Sequence, residues 1–450
     1  MTRYTSATDE DRREMLARIG AGSIEELFAE IPASMRLDRP LALPDGRSEQ
    51  EVFDHLGQLA DRNRHTDREV TFLGAGMYDH YVPALIDSIL SRSEFLTPYT
   101  PYQPEISQGG LQVMFEFQTA ISELTGLPIS NASLYEGPSS LPAAGYLAIQ
   151  ENARSRFVVS RGVHPHARET LETYARGFGA TVVEAPLDEH GTTDPEQLSR
   201  LVDDQTAAVF LQQPNFLGTV EQMGDLSERA KRTGALLVCA VDPLTLGVLR
   251  PPGDFGVDVC IGEGQTLGNR LDFGGPSFGF FAAAERYIRK MPGRIAGETV
   301  DADGRRGFVL TLQTREQHIR REKATHNICT AQALNALAGV IYLSWLGRRG
   351  LVELGELMVR RTAYAREALG GLAAINPGPV VREFAVRVPD LDGLIVRARA
   401  AGVNPGYRLG RDYPEFGDGL LVAITERRTR EQIDQLAELV GASAREQASV

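Results

Sequence analysis

The stretch TAAVFLQQPNFLGTVEQMGDLSERAKRTGALLVCAVD, residues 206–242, decides the fold. TAAVFLQ (206–212) and ALLVCAVD (235–242) are near-continuous apolar runs, and Glu221–Thr233 between them has helical spacing. A strand that returns through a helix to a second strand is the parallel crossover unit. Apolar character along both strands says that both sheet faces are covered. The same alternation extends outward. RFVVS (156–160) and TVVEA (181–185) read as strands upstream, with helices over Pro165–Phe178 and Asp194–Val202. VDVCIG (257–262) and SFGFFAA (277–283) continue the series downstream. The expectation is an α/β domain with a mostly parallel sheet.

Beyond a helical region around 313–350 the pattern shortens. PVVREFAVRVP (379–389) and LLVAIT (420–425) read as strands, Leu391–Ala401 and Thr429–Val440 as helices, which makes a small C-terminal α/β domain. At the other end, Ser23 with Glu26 and Ser48 with Glu51 are capping boxes, and Val52, Phe53, Leu56 and Leu59 share one helical face. The expected organisation is a helical arm (1–65), a large domain (66–335) and a small domain (336–450).

The 450 residues carry 47 basic and 60 acidic side chains, a net charge of −13, which disfavours nucleic acid and anionic membrane as partners. No apolar run reaches the ~20 residues of a membrane span, and the acidic N-terminus has no apolar signal core. Cys239, Cys260 and Cys329 sit in small or apolar surroundings without metal-ligand spacing, as buried thiols of a cytoplasmic protein do. Only Lys231, Lys290 and Lys323 among the basic residues are lysines. Any lysine chemistry can therefore be audited residue by residue.

Four segments are candidates for chemistry. Asp242 ends a strand at the carboxyl edge of the sheet, where α/β folds open their ligand crevice, although Asp-Pro turns are also common caps. YEGPSSL (135–141) puts Gly137, Ser139 and Ser140 at the start of a helix, a geometry suited to phosphate and shared by many helices that bind nothing. GEGQTLGNRLDFGG (262–275) is dense in glycine between two strands. TPYTPYQPEISQGG (97–110) packs Tyr99, Tyr102, Glu105, Ser107 and Gln108 together, which reads as a loop ordered in a site or an interface. His164 and His166 lack the further ligands of a metal shell, so no metal is expected.

FLGAGMYDHYVPALID (72–87), TPYTPYQPEISQGGLQVMFEFQT (97–119) and RRGFVLTLQTREQHIRREKATHNICTAQAL (305–334) together closely resemble the glycine cleavage system P-protein family. The likeness is to the first, or alpha, chain of its two-chain form, glycine dehydrogenase (decarboxylating), and runs from about residue 5 to the C-terminus. The resemblance implies the fold type I architecture of pyridoxal-phosphate enzymes and an α2β2 heterotetramer with a homologous beta subunit. It implies a reaction in which glycine loses CO2 on pyridoxal phosphate and its aminomethyl group passes to the lipoyl disulfide of H-protein. It also implies a Schiff-base lysine in the glycine-rich loop of the beta subunit.

Here residues 262–276 contain no lysine, and Gln265 stands at that position. The resemblance thus implies a chain with no catalytic residue of its own, bearing no covalent cofactor. Gly137, Ser139, Ser140 and Asp242 would be a vestigial cofactor pocket, and the tyrosine segment a wall of the partner's site. GNRLDFGG, SLYEGPSSL and His326 depart from the family's usual residues, which also fits a paralogous subunit acting on another amino acid in specialised metabolism.

Overall fold

In the computed structural model, which describes residues 6–96, 99–328 and 331–447, the capping motifs open the helices of the N-terminal unit. Thr8 and Asp11 cap α1 (Asp9–Ile19) reciprocally, and Ser48 and Glu51 do the same for α2 (Glu49–Ala60). Ser23 and Glu26 instead open only a single 3-10 turn, Glu25–Phe28. No described residue of this unit is buried. The chain divides into two compact units at Arg64 and His65.

In the second unit the apolar runs assemble into one sheet. It comprises β1 (Ile129–Ser130), β2 (Arg156–Ser160), β3 (Thr181–Ala185), β4 (Thr206–Gln213), β5 (Leu236–Val241), β6 (Val259–Glu263) and β7 (Gly279–Ala283). Their spatial order is β1-β7-β6-β5-β4-β2-β3. The pairs from β3 to β6 are parallel, and β7 joins antiparallel to both β6 and β1. Residue alternation sends Val209, Leu211, Leu237 and Cys239 to one face, against α3 (Gln108–Thr125) and its neighbours. Ala208, Phe210, Leu236 and Val238 go to the other, under α4 (Gly137–Asn152) and α5 (Pro165–Phe178). Both faces are covered, which is why the strands read as unbroken apolar runs.

A hairpin of β8 (Ile295–Val300) and β9 (Arg306–Thr311) packs Phe308 and Leu310 on Leu111 and Met114 of α3. The expected helix around 313–350 is corrected. Residues 313–323 form only short single turns, and the continuous helix α6 (Ala333–Ala368) starts later. It breaks at Gly347, whose φ of +61° only glycine adopts readily. The C-terminal sheet has the antiparallel order β10-β12-β11, with β10 (Glu383–Arg387), β11 (Tyr407–Arg408) and β12 (Gly419–Ala423). It is backed by α7 (Leu391–Ala400) and α8 (Arg430–Gln447).

Candidate functional site

Asp242 follows β5 at the carboxyl end of the parallel strands. One carboxylate oxygen accepts from the Leu244 N–H at 3.2 Å, the turn cap, and the other pairs with Arg382 Nη2 at 2.5 Å. Arg382 directly precedes β10, so two distant strand ends meet here. The Arg382 side chain is 2% exposed, and its guanidinium carbon lies 3.4 Å from the centre of the Tyr78 ring. Burial works to lower its pKa, but Asp242, Tyr78 and Glu383 carry the net shift upward, so the group stays cationic.

The Tyr78 hydroxyl donates to Glu383 Oε2 at 2.5 Å, and the Ala75 N–H donates to Oε1 at 2.7 Å. Burial pushes the Glu383 pKa up to about 7 against those hydrogen bonds and Arg382. Glycine at 74 permits this close approach. A Cβ there would meet the Ala423 Cβ at 2.5 Å and Tyr78 Cε1 at 2.9 Å.

Gln265 sits on the other side of Tyr78. Its Nε2 donates to the carbonyls of Tyr78 (3.1 Å) and Asn269 (2.9 Å), and its Oε1 accepts from the Tyr78 N–H at 2.9 Å. His80 Nε2 donates to the Asn269 carbonyl at 2.8 Å, and burial lowers the His80 pKa. The lysines lie elsewhere. Lys231 donates to the Gly256 carbonyl, Lys290 to the Gln150 carbonyl and to Glu151, and Lys323 is exposed on a short turn.

At the start of α4 the glycine and serines are ligated from within. Glu263 Oε2 accepts from the Gly137 N–H at 2.9 Å, and Glu136 Oε1 accepts from the Ser139 N–H at 3.1 Å. The Ser139 and Ser140 hydroxyls turn back to the Glu136 carbonyl, at 3.2 and 2.9 Å. A Cβ on Gly137 would lie 2.9 Å from that of Glu263, so the helix start and the end of β6 are pressed together. Glu263 also accepts from the Gln265 N–H. Gly137, Glu263, Gln265, Tyr78, Arg382 and Asp242 thus form one continuous chain of contacts.

The tyrosine segment belongs to a different place. With Arg294 and Gln332 it lines a cavity of about 550 Å3, to which Tyr99, Ile106 and Ser107 contribute. Tyr99 is 79% exposed. The Tyr102 phenol accepts from Arg294 Nη2 at 3.0 Å and donates to Glu316 Oε2 at 3.1 Å. Glu105 is exposed. Gln108 is a structural tie, bonded through its amide to the Pro104 carbonyl and to both backbone groups of Phe308. Thr97, Pro98 and Cys329 lie outside the described residues.

Both ring nitrogens of His164 are engaged within the chain. Its Nδ1 accepts from the His166 N–H and its Nε2 donates to the Ala75 carbonyl, with burial bringing its pKa down to about 4. Cys239 and Cys260 are buried neighbours across β5 and β6, and burial raises both thiol pKa values. Sequence reasoning singled out neither Arg382 nor Glu383, and held Tyr78 and Glu263 only within longer quoted segments. The charged pair Arg382-Glu383 inside an otherwise apolar strand was the available signal.

The comparisons with known proteins agree with one another. The model of the family described as glycine cleavage system P-protein matches residues 2–440. The chain is 49% identical over 441 residues to the probable glycine dehydrogenase (decarboxylating) subunit 1 of Carboxydothermus hydrogenoformans, covering 98% of this chain and 99% of that one. To the protein of the same designation from Geotalea uraniireducens it is 50% identical over 445 residues, with the same coverage. A crystal structure of glycine decarboxylase (P-protein) of the glycine cleavage system in inhibitor-bound form superposes with a TM-score of 0.88 at 42% identity. It spans 98% of this chain and 100% of that one. A sphingosine-1-phosphate lyase of Burkholderia pseudomallei shares the fold alone, at TM-score 0.65, 16% identity and coverage of 93% and 94%. The architecture is that of the fold type I pyridoxal-phosphate enzymes. The chain belongs to the glycine cleavage system P-protein family, on the side of its glycine dehydrogenase (decarboxylating) subunit 1.

Proposed function

We propose that this chain is the supporting alpha subunit of a two-chain glycine decarboxylase in the cytoplasm, not catalytic alone. It assembles with a homologous beta subunit as an α2β2 heterotetramer and completes the active site of that subunit, which holds the pyridoxal phosphate. The relatives' designation as subunit 1 supports a second chain. The exposed Val52, Phe53, Leu56 and Leu59 of the arm support contact with another molecule.

Gln265 carries the reading. An amide nitrogen is no nucleophile towards an aldehyde, and this one already donates to two carbonyls. The cofactor implied by the family does not fit the residues of this chain. The amine is missing, Asp242 is paired with Arg382, and the Gly137 and Ser139 N–H groups are bonded to carboxylates. Bound to the beta subunit, the cofactor supplies an electron sink for the decarboxylation of glycine. The lipoyl disulfide of H-protein would be the acceptor of the aminomethyl group, one sulfur taking it while the other leaves as a thiol.

The part left to this chain is to position and enclose, through Tyr99 and Ser107, which line the open cavity, and through Tyr102 and Glu105 of the same segment. The test is borohydride trapping of pyridoxal phosphate on this chain alone and in complex with its partner, followed by peptide mapping. Label confined to a lysine of the partner is the expected result. Label on Lys290 or Lys323, or glycine-dependent CO2 exchange by this chain alone, overturns the reading.

A further inference from the structure

We infer that this chain fills the cofactor pocket of its own fold with its own side chains, the Arg382 guanidinium in the place of the ring cation and the Glu263 carboxylate in the place of the phosphate, and so binds no pyridoxal phosphate even non-covalently. The inference rests on the subunit reading above and adds that the pocket is closed, whereas the missing lysine alone would leave it open.

A phosphorylated pyridinium needs a carboxylate for its ring nitrogen, a face to stack on, and free N–H groups for its phosphate. Each feature is present here, and each is taken. A guanidinium is a flat, delocalised cation that stacks on an aromatic face and pairs with a carboxylate, as a protonated ring does. Arg382 does both, over Tyr78 and against Asp242. At the start of α4, the Gly137 N–H that would meet a phosphate oxygen meets Glu263 Oε2, and Glu136 takes the Ser139 N–H. A phosphate dianion entering there would have to displace one carboxylate beside another.

The same contacts join the two α/β domains. Arg382 and Glu383 come from the C-terminal sheet, Asp242 from β5, and Tyr78 from the glycine-aromatic turn. Opening the crevice to admit a ligand would separate Arg382 from Asp242 and leave both charges without a partner. The plug is therefore also a clamp. Nε and Nη1 of Arg382 find no acceptor among the described residues, so the guanidinium keeps donors that a free anion would use. Inorganic phosphate is tested as well for that reason.

The experiment is calorimetric titration of the full-length chain with pyridoxal phosphate, pyridoxamine and inorganic phosphate. Expected is no saturable binding tighter than about 1 mM for any of them. In Arg382→Ala the vacated space faces Asp242, so pyridoxamine, a ring cation without phosphate, is expected to bind at least about tenfold more tightly than to the parent chain. Asp242→Asn in that background abolishes the gain. Saturable binding of pyridoxal phosphate or phosphate by the parent chain overturns the inference. So does a folded Arg382→Ala that gains nothing. If Arg382→Ala fails to fold, the parent titration decides alone. Non-covalent binding without a borohydride label sinks this inference and leaves the subunit reading standing. A label on this chain sinks the subunit reading.

Discussion

Tyr78 and Tyr99 are near in sequence and opposite in situation. Tyr78 is buried under a guanidinium, its hydroxyl held by Glu383 and its backbone by Gln265. Tyr99 stands 79% exposed at the rim of an open cavity. In the first crevice Asp242 answers Arg382 and Glu383 answers Tyr78, and the result is a joint between distant strand ends. In the second, Tyr99 and Glu105 are exposed, while Tyr102 and Gln108 are tied down. The difference separates side chains bound to one another inside the fold from side chains left exposed beside a cavity.

Breaking the joint should have the largest effect. Arg382→Met leaves the Asp242 carboxylate without its cation, with an expected loss of about 3–5 kcal/mol in chemical unfolding. Adding Asp242→Asn should recover much of it, and simple additivity of the two losses would show that the pair is not coupled. Tyr99→Phe, in contrast, should change stability by less than about 0.5 kcal/mol.

The joint should also titrate. The Glu383 pKa is raised by burial to about 7 in the folded chain, above its ordinary value, so folding favours the protonated form. The associated stability is fully present in acid and is lost as pH rises through about 7. Glu221, also raised by burial to about 7, has the same sign. Stability to chemical unfolding should fall between about pH 4.5 and pH 7, and Glu383→Gln should remove about 2 kcal/mol of that fall. An unchanged profile in the variant would place the dependence elsewhere.

The open cavity should respond only in the assembled enzyme. Tyr99→Phe or Glu105→Gln is expected to lower turnover of the complex roughly tenfold with assembly intact by size exclusion. Unchanged turnover would reduce the segment to packing.

Much of the parallel sheet was legible because burial on both faces writes itself as unbroken apolar runs, as in TAAVFLQ and ALLVCAV. The Ser48–Glu51 box was legible because its partners are three residues apart. The hairpin of Ile295–Val300 and Arg306–Thr311 drew no strand reading: the first strand is buried at one end and exposed at the other rather than in alternation, and its apolar residues meet α3 only after folding. The missing lysine was visible in the composition, and Gln265 could be named from it. What takes its place was not visible, because Tyr78, Asp242 and Arg382 come from three separate regions of the chain and no periodicity connects them.

The N-terminal unit has a consequence for the life of the chain before it meets another. A segment with none of its described residues buried draws little from the hydrophobic effect to hold its order. The connection between α1 and α2 runs from Gly20 to Ser48 with only short 3-10 turns along it. Such backbone is readily threaded into a protease active site. Limited proteolysis is therefore expected to cut the chain first between Gly20 and Ser48.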